Sequence, residues 1–178
     1  MKKISLTLLL ALIISATNLF AQKSYSSERF GHTLNLGLGL GGYYGYYNYG
    51  HSLPVFTINY EFDVARNFTL APFITFSTYR YEAKYYRQTI IPVGVKGTYY
   101  FDQIFGAGPA WDFYLAGSLG FAIVRETWDD GYSHDTYYHN VNPLFLDLHA
   151  GAEYHLSRKV GLFLDLSTGV STVGLSFR

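Results

Sequence analysis

The sequence predicts an all-β protein, a single eight-stranded antiparallel up-and-down barrel that crosses a membrane with its strands. Three observations carry the prediction. A short apolar leader opens the chain, and eight later runs alternate apolar with small residues at period two. The face opposite the apolar one is built of small residues instead of Lys, Glu and Arg, in a chain of which only 15% is charged.

The leader is Met1-Lys2-Lys3, an apolar run from Leu6 to Ile14, and the small-residue site Leu19-Phe20-Ala21 before Gln22. This is the pattern of a secretory signal peptide, residues 1–21, with an apolar core too short to span a bilayer as a helix, so cleavage is expected. Its removal leaves 157 of the 178 residues, enough for one domain. That mature chain has 11 basic and 13 acidic residues, a formal charge of −2, and suggests no nucleic-acid partner. With no cysteine it has neither a disulfide framework nor a Cys-based metal site. Residues 22–32 read as a short periplasmic segment and residues 33–178 as the barrel.

The first strand is expected over 33–41, where Leu34, Leu36, Leu38 and Leu40 share one face and Thr33, Asn35, Gly37 and Gly39 the other. It runs into the stretch GLGLGGYYGYYNYGHS, residues 37–52, which joins tyrosines to glycines without one Lys, Arg, Asp or Glu. That stretch reads as the strand top entering an external loop: glycine lets the chain turn, and Tyr43, Tyr44, Tyr46, Tyr47 and Tyr49 line the rim. Strands two to four follow over 53–63, 67–81 and 88–101. The fifth, 111–124, sets Trp111, Phe113, Leu115, Leu119, Phe121 and Ile123 against Asp112, Tyr114, Ala116, Ser118, Gly120 and Ala122. The last three are expected over 142–155, 159–167 and 170–177. Many of these approach the roughly 9–11 residues that a tilted strand needs to cross hydrocarbon. Tight connections at 64–66 and 156–158, with long ones after strands one and five, suggest turns on one side of a membrane and loops on the other.

Alternation alone does not say which face meets water. The inward candidates Asn35, Gly37, Gly39, Thr57, Asn59, Ala116, Ser118 and Gly120 suit the crowded lumen of a narrow closed barrel. Leu, Val and aromatic side chains then face lipid, and closure leaves no unpaired strand edge there. Tyr60, Phe62, Phe68, Tyr99, Phe101, Trp111, Phe113 and Tyr154 fall near strand ends on the turn side, as an inner interfacial girdle.

The chain also resembles a known group, the small eight-stranded outer-membrane barrels of the OmpA/OmpX type within the broader outer-membrane β-barrel, porin-like family. The resemblance rests on the leader ending Leu19-Phe20-Ala21, on Ile91-Pro92-Val93-Gly94-Val95-Lys96-Gly97-Thr98-Tyr99-Tyr100-Phe101, and on Val173-Gly174-Leu175-Ser176-Phe177-Arg178. It implies residence in the outer membrane of a two-membrane bacterium, both ends of the barrel chain in the periplasm, and contact with outer-membrane lipids and lipopolysaccharide. It further implies a terminal-strand signal, Gly174, Leu175 and Phe177, read by the barrel assembly machinery. Here Arg178 follows the aromatic that often ends such chains. Neither a cofactor nor a peptidoglycan-binding domain after the eighth strand is expected.

Seven ionisable residues fall on the lumen parity: Glu61, Lys96, Asp112, Asp147, His149, Glu153 and Asp165. Isolated charges there are costly, so a paired or hydrated network is expected, with Lys96 meeting Glu61 or Glu153. A plug of side chains is the reading adopted, in preference to an ion or proton path. Glu153-x-His155-x-Ser157 aligns acid, base and hydroxyl on one strand face, but at the periplasmic turn and facing inward, so no catalytic site is assigned. The loop 128–140 contains Trp128, Tyr132, Tyr137 and Tyr138 together with His134, Asp135 and His139, a conceivable cation set whose spacing matches no strong metal signature. It is read as a hydrated external loop, and no metal is expected. Arg80, Lys84, Arg87 and Arg125 cluster at the external strand ends, where lipopolysaccharide phosphates are candidate partners. The function expected is structural or adhesive, through envelope integrity or the Tyr-rich loops, with narrow-pore transport of ions or small solutes and lipid A modification as alternatives.

Overall fold

The computed structural model describes residues 30–41, 53–81, 86–101, 110–128 and 144–178. Eight strands follow in chain order: β1 (Thr33–Gly41), β2 (Leu53–Ala65), β3 (Phe68–Tyr81), β4 (Tyr86–Tyr100), β5 (Trp111–Trp128), β6 (Leu144–His155), β7 (Val160–Ser167) and β8 (Val170–Phe177). Each pairs with its sequence neighbours, and β1 closes the barrel by pairing antiparallel with β8, from Leu34↔Phe177 to Gly41↔Val170. Closure satisfies both edges of every strand, which hydrocarbon demands because it offers no hydrogen bonds.

The period-two pattern translates into two unlike faces. Outside, Leu146 and Leu148 are each 69% exposed and Phe121 63%, while Asp147 between the two leucines is buried. An apolar surface that encircles the whole sheet is incompatible with water as its solvent. At the turn-side end, Trp111 packs on Tyr154 with ring centroids 4.9 Å apart and stacks on Phe113 at 5.9 Å, forming part of an aromatic belt with Tyr60 and Tyr99.

Several boundaries differ from the alternation. β5 continues to Trp128 because Arg125, Glu126 and Thr127 pair with Thr89, Gln88 and Arg87 of β4, so the ladder outlasts the apolar pattern. β6 is described from Leu144; residues 142 and 143, with which the sixth strand was expected to begin, lie outside the described residues. β2 extends through a register shift between Asp63 and Ala65, and the tight turn falls at Arg66-Asn67. Asn67 adopts a left-handed φ of 57°, a conformation that its short polar side chain tolerates.

The segment before β1 is more than a tether. Phe30 is buried and stacks on Tyr100 with centroids 4.0 Å apart, closing the turn-side end of the lumen. Asp63, at the bulge, holds this cap by accepting the Phe30 and Gly31 amides at 3.2 and 2.9 Å. Thr33 donates to the Phe30 carbonyl at 2.8 Å.

Candidate functional site: the barrel lumen

The polar residues on the inward face form tiers along the barrel. In the middle tier Lys96 of β4 forms an ion pair with Asp165 of β7. The same carboxylate accepts from the Tyr114 hydroxyl at 3.1 Å and from His149 Nδ1 at 2.7 Å. An ionised carboxylate only accepts, so Nδ1 carries the proton, and in the neutral ring Nε2 is left to accept from Ser118 Oγ at 2.9 Å. Register explains the grouping: Ser118 lies directly opposite Lys96 on one side and Asp147 on the other. Toward the external end, Asp147 accepts from Thr168 Oγ1 at 2.6 Å and from the Gly169 amide at 2.9 Å, tying the β7–β8 turn to β6.

Nearer the turn side, Glu61 accepts from Tyr100 at 2.7 Å and Thr98 at 3.4 Å. The lowest tier joins Asp112, Glu153, His155 and Arg178. His155 Nε2 lies 2.7 Å from Asp112 Oδ2, and Arg178 bridges Asp112 at 3.1 Å and Glu153 at 2.7 Å. Ser176 also donates to Glu153.

Two expectations need correction. Lys96 meets Asp165, not Glu61 or Glu153, because the ammonium crosses the lumen to β7 while Tyr100 occupies Glu61 and Arg178 occupies Glu153. Nor is Lys96 the sole inward cation: Arg178 shares the parity of Ser176 and turns its guanidinium onto two buried carboxylates.

The seven expected lumen ionisables are all directed inward; six are buried and His149 is half-buried. Arg87 and Arg125 are exposed, and Arg80 is the register partner of Arg87. In β8, Gly174 pairs with Gly37, while Leu175 and Phe177 face outward. Lys84, the loop tyrosines and His134, Asp135 and His139 lie outside the described residues; Trp128 ends β5, with its side chain likewise outside. The sequence reading missed Tyr100, Tyr114, Ser118, Ser176 and Arg178 as members of the network, although all lie on lumen parity. Tyr114 reaches Asp165 only because it passes over Gly151, where an added Cβ would sit 2.2 Å from the ring.

Ser118, His149 and Asp165 repeat the atom order of a serine–histidine–acid relay. Here the acid is neutralised by Lys96, and the neighbouring strand N–H groups are committed to the ladder and unavailable to an oxyanion. The relay therefore orients His149 within a saturated network. Beside it the lumen keeps a cavity of about 60 Å³. At ~10–15 Å³ per water this is room for a handful of waters.

No protein-family model matches the chain, and no curated protein matches it. Among solved structures it is similar to Neisserial surface protein A, at 15% identity and a TM-score of 0.54, over 82% of this chain and 94% of that one. It is also similar to a de novo designed transmembrane β-barrel, at 12% identity and a TM-score of 0.50, over 84% and 98% respectively. The likeness is one of fold. The chain is a closed, eight-stranded antiparallel barrel of the kind that small outer-membrane proteins adopt.

Proposed function

We propose that the protein is an integral outer-membrane barrel with a structural or adhesive role, which presents its Tyr-rich external loops from a sealed scaffold. The observation that carries this reading is the filled lumen: Phe30 caps one end, and ion pairs and hydrogen bonds span the interior around a cavity of only about 60 Å³. A scaffold with a side-chain-filled interior contributes chiefly what it displays, and tyrosines offer large amphipathic contact area at low entropic cost. The similar Neisserial structure is named a surface protein, which accords with this role. Purified barrel in planar bilayers is expected to show no stable unitary conductance; reproducible conductance would favour the narrow-pore reading. Cells in which residues 42–51 are replaced by Gly and Ser should lose surface adhesion while the barrel still assembles. Unchanged adhesion removes the adhesive part of the reading.

Lipopolysaccharide contact is supported by the register. Arg80 and Arg87 are direct partners, and Arg125 pairs with Thr89 two residues along from Arg87. Like charges placed opposite one another repel unless an anion lies between them, and lipid phosphate has the required charge. The double variant Arg87→Gln, Arg125→Gln should bind lipopolysaccharide about fivefold more weakly at low salt, the equivalent of the ~1 kcal/mol of an exposed charge pair. Binding that is insensitive to both substitution and salt refutes the contact.

A further inference from the structure

The lowest tier of the lumen contains chemistry that a structural or adhesive role does not use. Asp112 and Glu153 are direct register partners on β5 and β6, and His155 follows Glu153 on the same face. Both carboxylate side chains are nearly inaccessible, at 3% and 5% exposure, whereas the imidazole is 23% exposed. One ligand atom from each of the three residues lies within 4.8 Å of the other two. Two buried carboxylates held face to face repel each other and require positive charge. Arg178 supplies one such charge, reaching both from a guanidinium 18% exposed.

We propose that Asp112, Glu153 and His155 form a binding site for a first-row divalent cation, zinc by preference, at the periplasmic mouth of the barrel, and that Arg178 occupies the site as its competitor. One nitrogen and two oxygen donors suit zinc better than magnesium or calcium, which favour oxygen alone. Ligand bonds of about 2.0–2.2 Å require donor atoms roughly 3.4 Å apart in a tetrahedral site. His155 Nε2 already stands 2.7 Å from Asp112 and 4.0 Å from Glu153, so modest side-chain rotations bring the set together. On binding, the metal replaces the proton at His155 Nε2, the neutral ring keeping its one proton on Nδ1, and the guanidinium leaves toward water. Three protein ligands leave the fourth position to a water.

Isothermal titration of the full folded barrel in detergent micelles with zinc chloride tests the site. One equivalent is expected to bind, with magnesium binding far more weakly. His155→Gln should weaken zinc binding at least about tenfold. Arg178→Gln should tighten it, a direction that distinguishes a competitor from a structural partner. A variant with His134 and His139 both replaced by alanine should bind as the parent does. Zinc affinity that survives His155→Gln, falls with the loop histidines or weakens in Arg178→Gln overturns the assignment, as does the absence of binding at millimolar zinc. X-ray absorption of the zinc-loaded parent needs no variant: one imidazole with carboxylate oxygens supports the site, and two imidazoles reject it.

Discussion

Replacing Lys96 with methionine is expected to destabilise the barrel by about 3–5 kcal/mol, the cost of leaving a buried charge without its partner. The ammonium and the Asp165 carboxylate are 10% and 4% exposed, so water screens neither strongly. Methionine keeps the length and apolar stem of lysine and therefore removes the charge while leaving the packing against Tyr114 largely filled. Asp165 retains its bonds from Tyr114 and His149 but loses its only cation among the described residues. Removing both charges together, as in Lys96→Met with Asp165→Leu, should recover most of that stability, since an apolar pair of similar volume replaces a desolvated ion pair at little net cost. Equilibrium unfolding in urea, followed by fluorescence of the two tryptophans, measures the cycle. A single-variant loss under about 1 kcal/mol would show that the pair is hydrated and weak. The fate of Ser118 and His149 in the double variant then reports whether the relay stands without its acid.

The strands were legible because a barrel wall imposes one rule at every position. Leu146 and Leu148 must face lipid, Asp147 between them must not, and the parity is written in adjacent letters. Which lumen residue meets which is another matter. Lys96 and Asp165 are 69 residues apart and lie on strands that never pair, so their meeting depends on barrel shear and on side-chain reach across the interior. No local pattern encodes either. The lowest tier was more accessible: Asp112, Glu153, Ser176 and Arg178 share the lumen parity, and extending that parity one step beyond Phe177 places Arg178 inside. The Phe30 cap was hidden for a different reason. It depends on the bulge that aims Asp63 at two backbone amides, and such an irregularity leaves no mark in an alternating pattern.

Alanine at Gly94 or Gly120 should do more damage than most charge substitutions, because there the obstacle is the wall itself. The two glycines are register partners at the centre of the β4–β5 ladder. A Cβ added at Gly94 would lie 2.2 Å from the Leu119 carbonyl oxygen, and one at Gly120 would lie 2.1 Å from that of Val93. Neither oxygen belongs to a flexible side chain, so the clash is relieved only by separating the strands. In water such a separation costs little, because solvent replaces the lost bonds. In hydrocarbon each polar group left unpaired costs about 2–7 kcal/mol, and a breach in the middle of a closed sheet exposes more than one. Gly94→Ala is therefore expected to abolish most assembly, read as loss of the compact band that folded barrels give on unheated gels. Gly117→Ala is the control on the same strand pair: its added Cβ meets nothing nearer than Leu148 Cδ2 at 3.9 Å, and assembly should remain near the parental level. Equal yields from Gly94→Ala and Gly117→Ala would mean that the β4–β5 spacing adjusts freely. The barrel would then owe its closure to something other than backbones drawn together at paired glycines.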